Sequence, residues 1–239
     1  MATQSKVKQT FTTARNLVHD VHLFNINIRS RELYLHAQFE DGVEEEAGVD
    51  YRMSNTFIKN INILNSMGNS NILIHQQTMG GDWAYGIAIY DALMACQSPT
   101  SMIAYAWSRS MSSITIQACD KRILTPNTKF MVHLGSLWTG GINQEVYTDV
   151  EESKKSDVVM MDIYASRCVD GPFFSQKGYD KKDVKNFIKK QIKEKIDWWM
   201  TAEEAVYYGF IDGVLGSAGF ETIDKIRKTK KNRRPVTVD

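Results

Sequence analysis

The stretch Ala104 to His133, AYAWSRSMSSITIQACDKRILTPNTKFMVH, carries the residue types of nucleophilic catalysis. Four serines crowd its start, at Ser108, Ser110, Ser112 and Ser113. A serine hydroxyl becomes a nucleophile when a base accepts its proton and N–H donors meet the developing oxyanion. His133 follows the apolar run Phe130-Met131-Val132 and precedes a Gly-rich stretch. An imidazole there can be a general base under a loop, or simply packed. Gly80-Gly81 stands before a helical pattern and reads either as a tight turn or as a cradle of N–H donors. A triad also needs a carboxylate to hold the imidazole. Asp162, Asp170, Asp180, Asp183 and Asp197 all lie downstream, and spacing does not choose among them. Asp197 differs in standing between Ile196 and Trp198-Trp199, where a buried carboxylate would need a partner. These residues point to a serine hydrolase and leave the choice of serine open.

Other chemistries find less support. There is no G-x-x-x-x-G-K-[ST] and no G-x-G-x-x-G, so a nucleotide site is not expected. The three cysteines, Cys96, Cys119 and Cys168, lack metal-ligand spacing and fit a reducing compartment. With 29 Lys and Arg against 28 Asp and Glu, the net charge of +1 demands neither nucleic acid nor an anionic membrane. No apolar run approaches the ~20 residues of a membrane helix, and MATQSKVKQTFTTARN lacks a signal-peptide core. The expectation is a soluble cytoplasmic protein without cofactor or metal.

The elements that must position these groups alternate. Glu32 to Ala37 reads as a first strand. Met53, Phe57, Ile61 and Leu64 mark one face of a helix. Asn71 to His75 reads as a buried strand, and Trp83, Ile87, Tyr90 and Met94 as a helix capped by Asp82. Ser101 to Ala106 is the next strand and Met111 to Ala118 a short helix. Strand, helix, strand, helix predicts an α/β fold with largely parallel strands. Val146, Val150, Met161, Tyr164 and Cys168 give a stripe to a long helix over Gln144 to Cys168. Asp180 to Lys195 is basic and helical. Thr201 to Glu204 has capping-box spacing with Gly209 as a stop, and Phe210 to Val214 reads as a last strand. The acidic run Glu40 to Asp50 and the basic run Lys225 to Arg234 read first as solvated segments and second as partner contacts. Residues 1–30 are polar with weak periodicity and read as an extension.

Taken in order, these pieces resemble the proteolytic subunit family of the Clp protease, and more distantly the wider Clp protease/crotonase superfamily. The motifs are Gly80-Gly81-Asp82 followed by Ala88-Ile89-Tyr90-Asp91-Ala92-Leu93-Met94, then Ser110-Met111, then Asp120-Lys121-Arg122, Pro126-Asn127-Thr128 and Met131-Val132-His133. Gly140-Gly141 and Gln144 follow, and Asp197 precedes Thr201-Ala202-Glu203-Glu204-Ala205-Val206-Tyr207-Tyr208-Gly209-Phe210-Ile211-Asp212. The resemblance implies a repeated β-β-α spiral fold with a protruding long helix. It assigns residues 31–216 to the peptidase domain, residues 1–30 to an N-terminal extension and residues 217–239 to a basic tail. It implies Ser110 as nucleophile, His133 as general base, Asp197 as its orienting partner, and the backbone of Gly81 and Met111 as the oxyanion hole. It further implies cleavage of unfolded polypeptides in stacked heptameric rings, served by an AAA+ unfoldase.

The chain departs from the family pattern at Trp107, Ser108 and Arg109, where small residues usually precede the nucleophile, and at Met79, where proline is usual. The N-terminal segment does not match the family's axial loops. Such divergence is similar to phage-encoded members. Alternatives are therefore a non-catalytic ring subunit and a capsid-maturation protease, the latter acting in a host cytoplasm.

Overall fold

Short apolar runs bounded by turns build the centre of the molecule, and the amphipathic helices between them cover it. The computed structural model describes residues 2–37 and 48–232, with side chains from residue 13 onward. The chain begins with helix α1 (Ala2–Phe24). Strands β1 (Ile26–Asn27) and β2 (Glu32–His36) follow, then α2 (Tyr51–Ser66) and β3 (Ile72–Thr78). Next come α3 (Trp83–Ala95), β4 (Thr100–Arg109) and α4 (Met111–Thr115), continued by a 3₁₀ turn at Ile116–Ala118. Strands β5 (Lys121–Leu124) and β6 (Lys129–Val132) precede the long α5 (Asn143–Cys168), α6 (Pro172–Lys177) and α7 (Lys181–Lys195). The chain continues with β7 (Trp198–Met200), α8 (Ala202–Tyr207), β8 (Gly213–Val214) and α9 (Ile223–Ile226).

The sheet runs β1-β2-β3-β4-β5-β8, with β6 branching from β4 and carrying β7. Its β2–β3–β4–β5–β8 core is parallel, as the alternation of strands and helices predicts. Only β1 on β2 and β7 on β6 pair antiparallel among the described residues. The core is built from one face of each helix against this sheet: Phe57, Ile61 and Leu64 of α2, Ile89 and Leu93 of α3, and Tyr164 and Cys168 of α5 are all buried. The caps read from the sequence are in place. Asp82 accepts the Tyr85 N–H at 3.1 Å. Thr201 and Glu204 exchange side-chain bonds at 2.8 and 3.2 Å.

Several elements differ from the sequence reading. The N-terminal segment, whose weak periodicity predicts no element, is helical over Ala2–Phe24, which is compatible with its reading as an extension. Its periodicity is weak because Val18, Leu23 and Phe24 are exposed, so no apolar face had to be written into it. Strand β4 runs on to Arg109, past the expected end at Ala106. Ala106 has a left-handed φ of 53°, and there the strand changes partner from β5 to β6. The last strand is shorter than expected, covering only Gly213–Val214. The acidic run lies outside the described residues between Glu40 and Ala47, and the basic run does so beyond Asn232. The first half of α5 is largely exposed, while Met160 to Ala165 are buried.

Candidate active site

Ser110 sits at the corner where β4 meets α4, with φ 52° and ψ −130°. A non-glycine residue in that region is strained and persists only where surrounding bonds hold it. The neighbouring serines supply those bonds. Ser112 Oγ accepts the Arg109 N–H at 2.8 Å and lies 2.7 Å from the Arg109 carbonyl and 3.0 Å from the Thr78 carbonyl. Ser113 Oγ donates to the Ser110 carbonyl at 2.6 Å and meets the Tyr164 hydroxyl at 2.6 Å. Burial pushes the Tyr164 phenol up, so it stays a neutral donor to Ser113. Ser108 is fully buried and lies 3.3 Å from the Gln76 amide. Three of the four serines are thus inside the scaffold, and Ser110 alone points its hydroxyl at the histidine.

His133 stands one residue beyond β6, with Nε2 2.8 Å from Ser110 Oγ and Nδ1 3.0 Å from Asp197 Oδ1. A carboxylate beside Nδ1 requires the proton there, so Nε2 is left to accept the serine hydroxyl. The β6–β7 ladder pairs Val132 with Trp198, Met131 with Trp199 and Phe130 with Met200. His133 and Asp197 occupy the next rung of that ladder, so pairing register brings the imidazole and the carboxylate together. Asp197 is 46% exposed and Ile196 is 77% exposed, so the expected burial between apolar neighbours does not occur. Ile196 takes a φ of 64°, which turns the chain from α7 into β7 and swings Ile196 outward.

The other carboxylates weighed from the sequence are elsewhere. Buried Asp162 pairs with Lys185 at 2.6 Å. Asp180 and Asp183 form the capping box of α7. Asp170 lines a separate cavity with Arg122, Arg167 and Asp212.

The Gly80-Gly81 turn abuts the serine corner. A β-bridge joins Val49 to Gly81 through the Gly80 carbonyl, 2.6 Å from the Val49 N–H, and the Asp82 N–H, 2.9 Å from the Val49 carbonyl. In a parallel bridge the central residue's own N–H faces away from its partner, so the Gly81 N–H is directed off Val49. Gly80 has φ +98°, and a Cβ there would stand 2.7 Å from Ser110 Cβ and 3.0 Å from the Met111 nitrogen. That approach places the turn against the first N–H of α4, which has no partner within its own helix. Gly80 packs against the serine corner, where the sequence reading gave the pair Gly80-Gly81 a turn or a cradle without separating the two glycines. Its signal was a second glycine in the pair, and only the distance to Ser110 shows what it does.

The large residues beside the nucleophile form a cluster. The Arg109 Cζ lies 5.4 Å from the Trp107 ring and 6.0 Å from the Trp199 ring, and the two indoles meet edge to face at 6.3 Å. Among the described residues no group of three His, Cys, Asp or Glu side chains is arranged to hold a metal ion. No helix among them is long and apolar enough to cross a membrane.

A serine with an accessible hydroxyl, a histidine of fixed tautomer, a carboxylate and adjacent backbone N–H groups can support acyl transfer. Comparison with known proteins bears on the family and the fold. The family model described as Clp protease matches residues 30–218. The ATP-dependent Clp protease proteolytic subunit of Deinococcus radiodurans is 28% identical over 170 residues, spanning 70% of this chain and 76% of that protein. The protein of the same description from Streptococcus equi subsp. equi is 27% identical over 172 residues, spanning 70% and 80%. A solved ClpP1 mutant from Listeria monocytogenes shares the fold at a TM-score of 0.64 and 18% identity, covering 83% of this chain and 96% of that one.

Proposed function

The chain belongs to the Clp protease family, and from that premise we propose that it is an active serine endopeptidase that cuts unfolded polypeptides. The observation that carries this reading is the continuous line Ser110 Oγ to His133 Nε2 at 2.8 Å and His133 Nδ1 to Asp197 Oδ1 at 3.0 Å.

In the proposed reaction Ser110 Oγ attacks the scissile carbonyl carbon while its proton passes to His133 Nε2. The carbonyl oxygen becomes an oxyanion, held by the N–H groups of Gly81 and Met111. Asp197 keeps the imidazole oriented and stabilises the imidazolium. Collapse of the tetrahedral intermediate breaks the C–N bond, and His133 returns the proton to the leaving amine. A water then attacks the acyl-enzyme with His133 again as base, releasing the acid and restoring Ser110.

The same membership supports the further proposal of heptameric rings enclosing the site, two of them stacked, and of an AAA+ unfoldase as partner in the cytoplasm. Residues 31–216 are the proposed peptidase domain, between an N-terminal extension and a basic tail. Leu137, Trp138, Ile142 and Tyr147 are exposed in the single chain, Trp138 by 93%. Such a row of large apolar groups calls for a covering surface, and a second copy of the chain would supply it.

The test is labelling of the folded protein with a fluorophosphonate probe. A single adduct on Ser110 is expected. Absence of the adduct overturns the peptidase reading in favour of a ring subunit without activity.

A further inference from the structure

Strand alternation places a set of side chains on the catalytic face of the sheet. Trp107 is in register with Lys129, Arg109 with Met131, and Met131 with Trp199. Cross-strand partners share a face, and residues two apart along a strand do so as well. Trp107, Arg109, Lys129, Met131 and Trp199 therefore share the face on which His133 and Asp197 continue their strands. The alternate residues Ser108, Phe130, Val132 and Trp198 are buried on the other face. Met131 is buried too, as a floor under the cluster, while Trp107 and Trp199 are 39% and 41% exposed.

Arg109 packs against the edge-to-face pair of those two indoles, within cation–π range of both. The rings restrict an otherwise flexible side chain, so little freedom remains to be lost on binding. Among the described residues neither Arg109 nor Lys129 makes an ion pair, and Arg109 Nε is buried without a hydrogen-bond partner. Asp197, the carboxylate on this face, is held by His133. The face thus presents two cations and two indoles with no acidic group left to satisfy them. Arg109 also precedes Ser110 directly, their Cα atoms about 3.8 Å apart. Trp199, which the guanidinium contacts, is two residues from Asp197, so the cluster and the triad occupy neighbouring positions on one face.

We propose that Arg109, packed against the Trp107–Trp199 pair with Lys129 on the same face, is a substrate subsite that selects a carboxylate side chain next to the scissile bond. The proposal rests on the peptidase reading and names its specificity. A carboxylate matches the planar guanidinium in a bidentate pair, and the flanking indoles shed water from it. A basic side chain in the same place meets like charge.

The test uses three fluorogenic peptides, identical except for Glu, Ala or Lys beside the scissile bond. With the wild-type protein, kcat/KM is expected to favour the Glu peptide over the Lys peptide by roughly tenfold or more, a range set by one charge-assisted pair. Arg109→Glu should invert the order, and Arg109→Lys should keep it at reduced spread. A misfolded variant would lose all three substrates together, so inversion reports charge recognition. The same order of peptides in wild type and Arg109→Glu overturns the proposal.

Binding is read in parallel from intrinsic tryptophan fluorescence during titration with the Glu and Lys peptides, with Trp107→Phe and Trp199→Phe assigning the signal among the five tryptophans. Tighter binding of the Glu peptide, reversed in Arg109→Glu, supports the subsite even where fluorophosphonate labelling of Ser110 fails. Equal binding of both peptides overturns it even where labelling succeeds.

Discussion

His133 and Asp197 face each other as the next rung after Val132–Trp198 in the antiparallel ladder of β6 and β7, with Nδ1 and Oδ1 3.0 Å apart. They are separated by 64 positions in the chain, and α5, α6 and α7 all lie between them. The pair depends on the register of a three-residue strand, because a slip by one residue would turn Asp197 to the opposite face. Asp197→Asn keeps the shape and removes the charge that fixes the tautomer. It should lower kcat by less than the roughly 10⁴-fold loss a buried triad carboxylate produces, because this carboxylate is 46% exposed. Steady-state kinetics on a peptide substrate measures the loss, and an unchanged kcat would remove Asp197 from the mechanism.

Ser110→Ala should abolish fluorophosphonate labelling and reduce peptide turnover by roughly four to six orders of magnitude if the triad acts as a unit. Ser108→Ala should leave labelling in place, since Ser108 is buried behind the strand and bonded to Gln76. Mass spectrometry of the labelled protein distinguishes these outcomes. Loss of the adduct in Ser108→Ala but not in Ser110→Ala would move the nucleophile from Ser110 to Ser108.

Gly80→Ala inserts a Cβ 2.7 Å from Ser110 Cβ and 2.9 Å from the Arg109 carbonyl, at a φ of +98°. The backbone has to shift, and with it the N–H groups around Ser110. A fall in kcat of roughly 10² or more is expected, the magnitude of losing one oxyanion donor. Circular dichroism should still show a folded chain. Wild-type kcat in Gly80→Ala would contradict the close approach.

Arg122 is buried against Asp212, with Nη2 2.6 Å from Oδ1 and Nη1 donating to Gln117 and to the Gly209 carbonyl. Burial alone would raise the Asp212 carboxyl, but the Arg122 charge outweighs it and holds the carboxyl below its usual range. Asp212→Asn leaves that guanidinium buried without its counter-charge. It should cost about 3 kcal/mol of unfolding free energy, read from urea melts. A loss below about 0.5 kcal/mol would class the pair with surface ion pairs.

Glu32 is held down to about 2, first by the His75 imidazole, whose Nε2 stands 3.8 Å from Oε1, and also by Ser30 and the Arg227 charge, against the upward push of burial. A carboxyl lowered on folding stabilises the protein above its unfolded value and loses that contribution as pH falls through the folded value. Thermal melts should therefore show wild type more stable than Glu32→Gln at pH 7, with the gap closing between about pH 4.5 and pH 2. A gap of constant size down to pH 2 would rule out the linkage.

The legible part of the molecule is local. Asp82 at a helix start, the Thr201–Glu204 box and the stripe Phe57, Ile61, Leu64 act through neighbours three or four residues away, so spacing reveals them. The ordered motifs around Gly80-Gly81, Ser110-Met111 and Met131-Val132-His133 likewise lie in short runs that fold into single corners. Residues alone left four serines and five aspartates open, and the resemblance narrowed them to Ser110 and Asp197. Tertiary structure supplied the physical grounds: Ser108, Ser112 and Ser113 are bonded inside the scaffold, and Asp197 reaches His133 through strand register rather than through burial. The sequence marked the Gly80-Gly81 turn and the large residues before Ser110, but the approach of Gly80 to Ser110 and the grouping of Trp107 and Arg109 with Trp199 were beyond it for the same reason. Their contacts join segments far apart in the chain, and only the pairing of β4, β6 and β7 brings those segments onto one face.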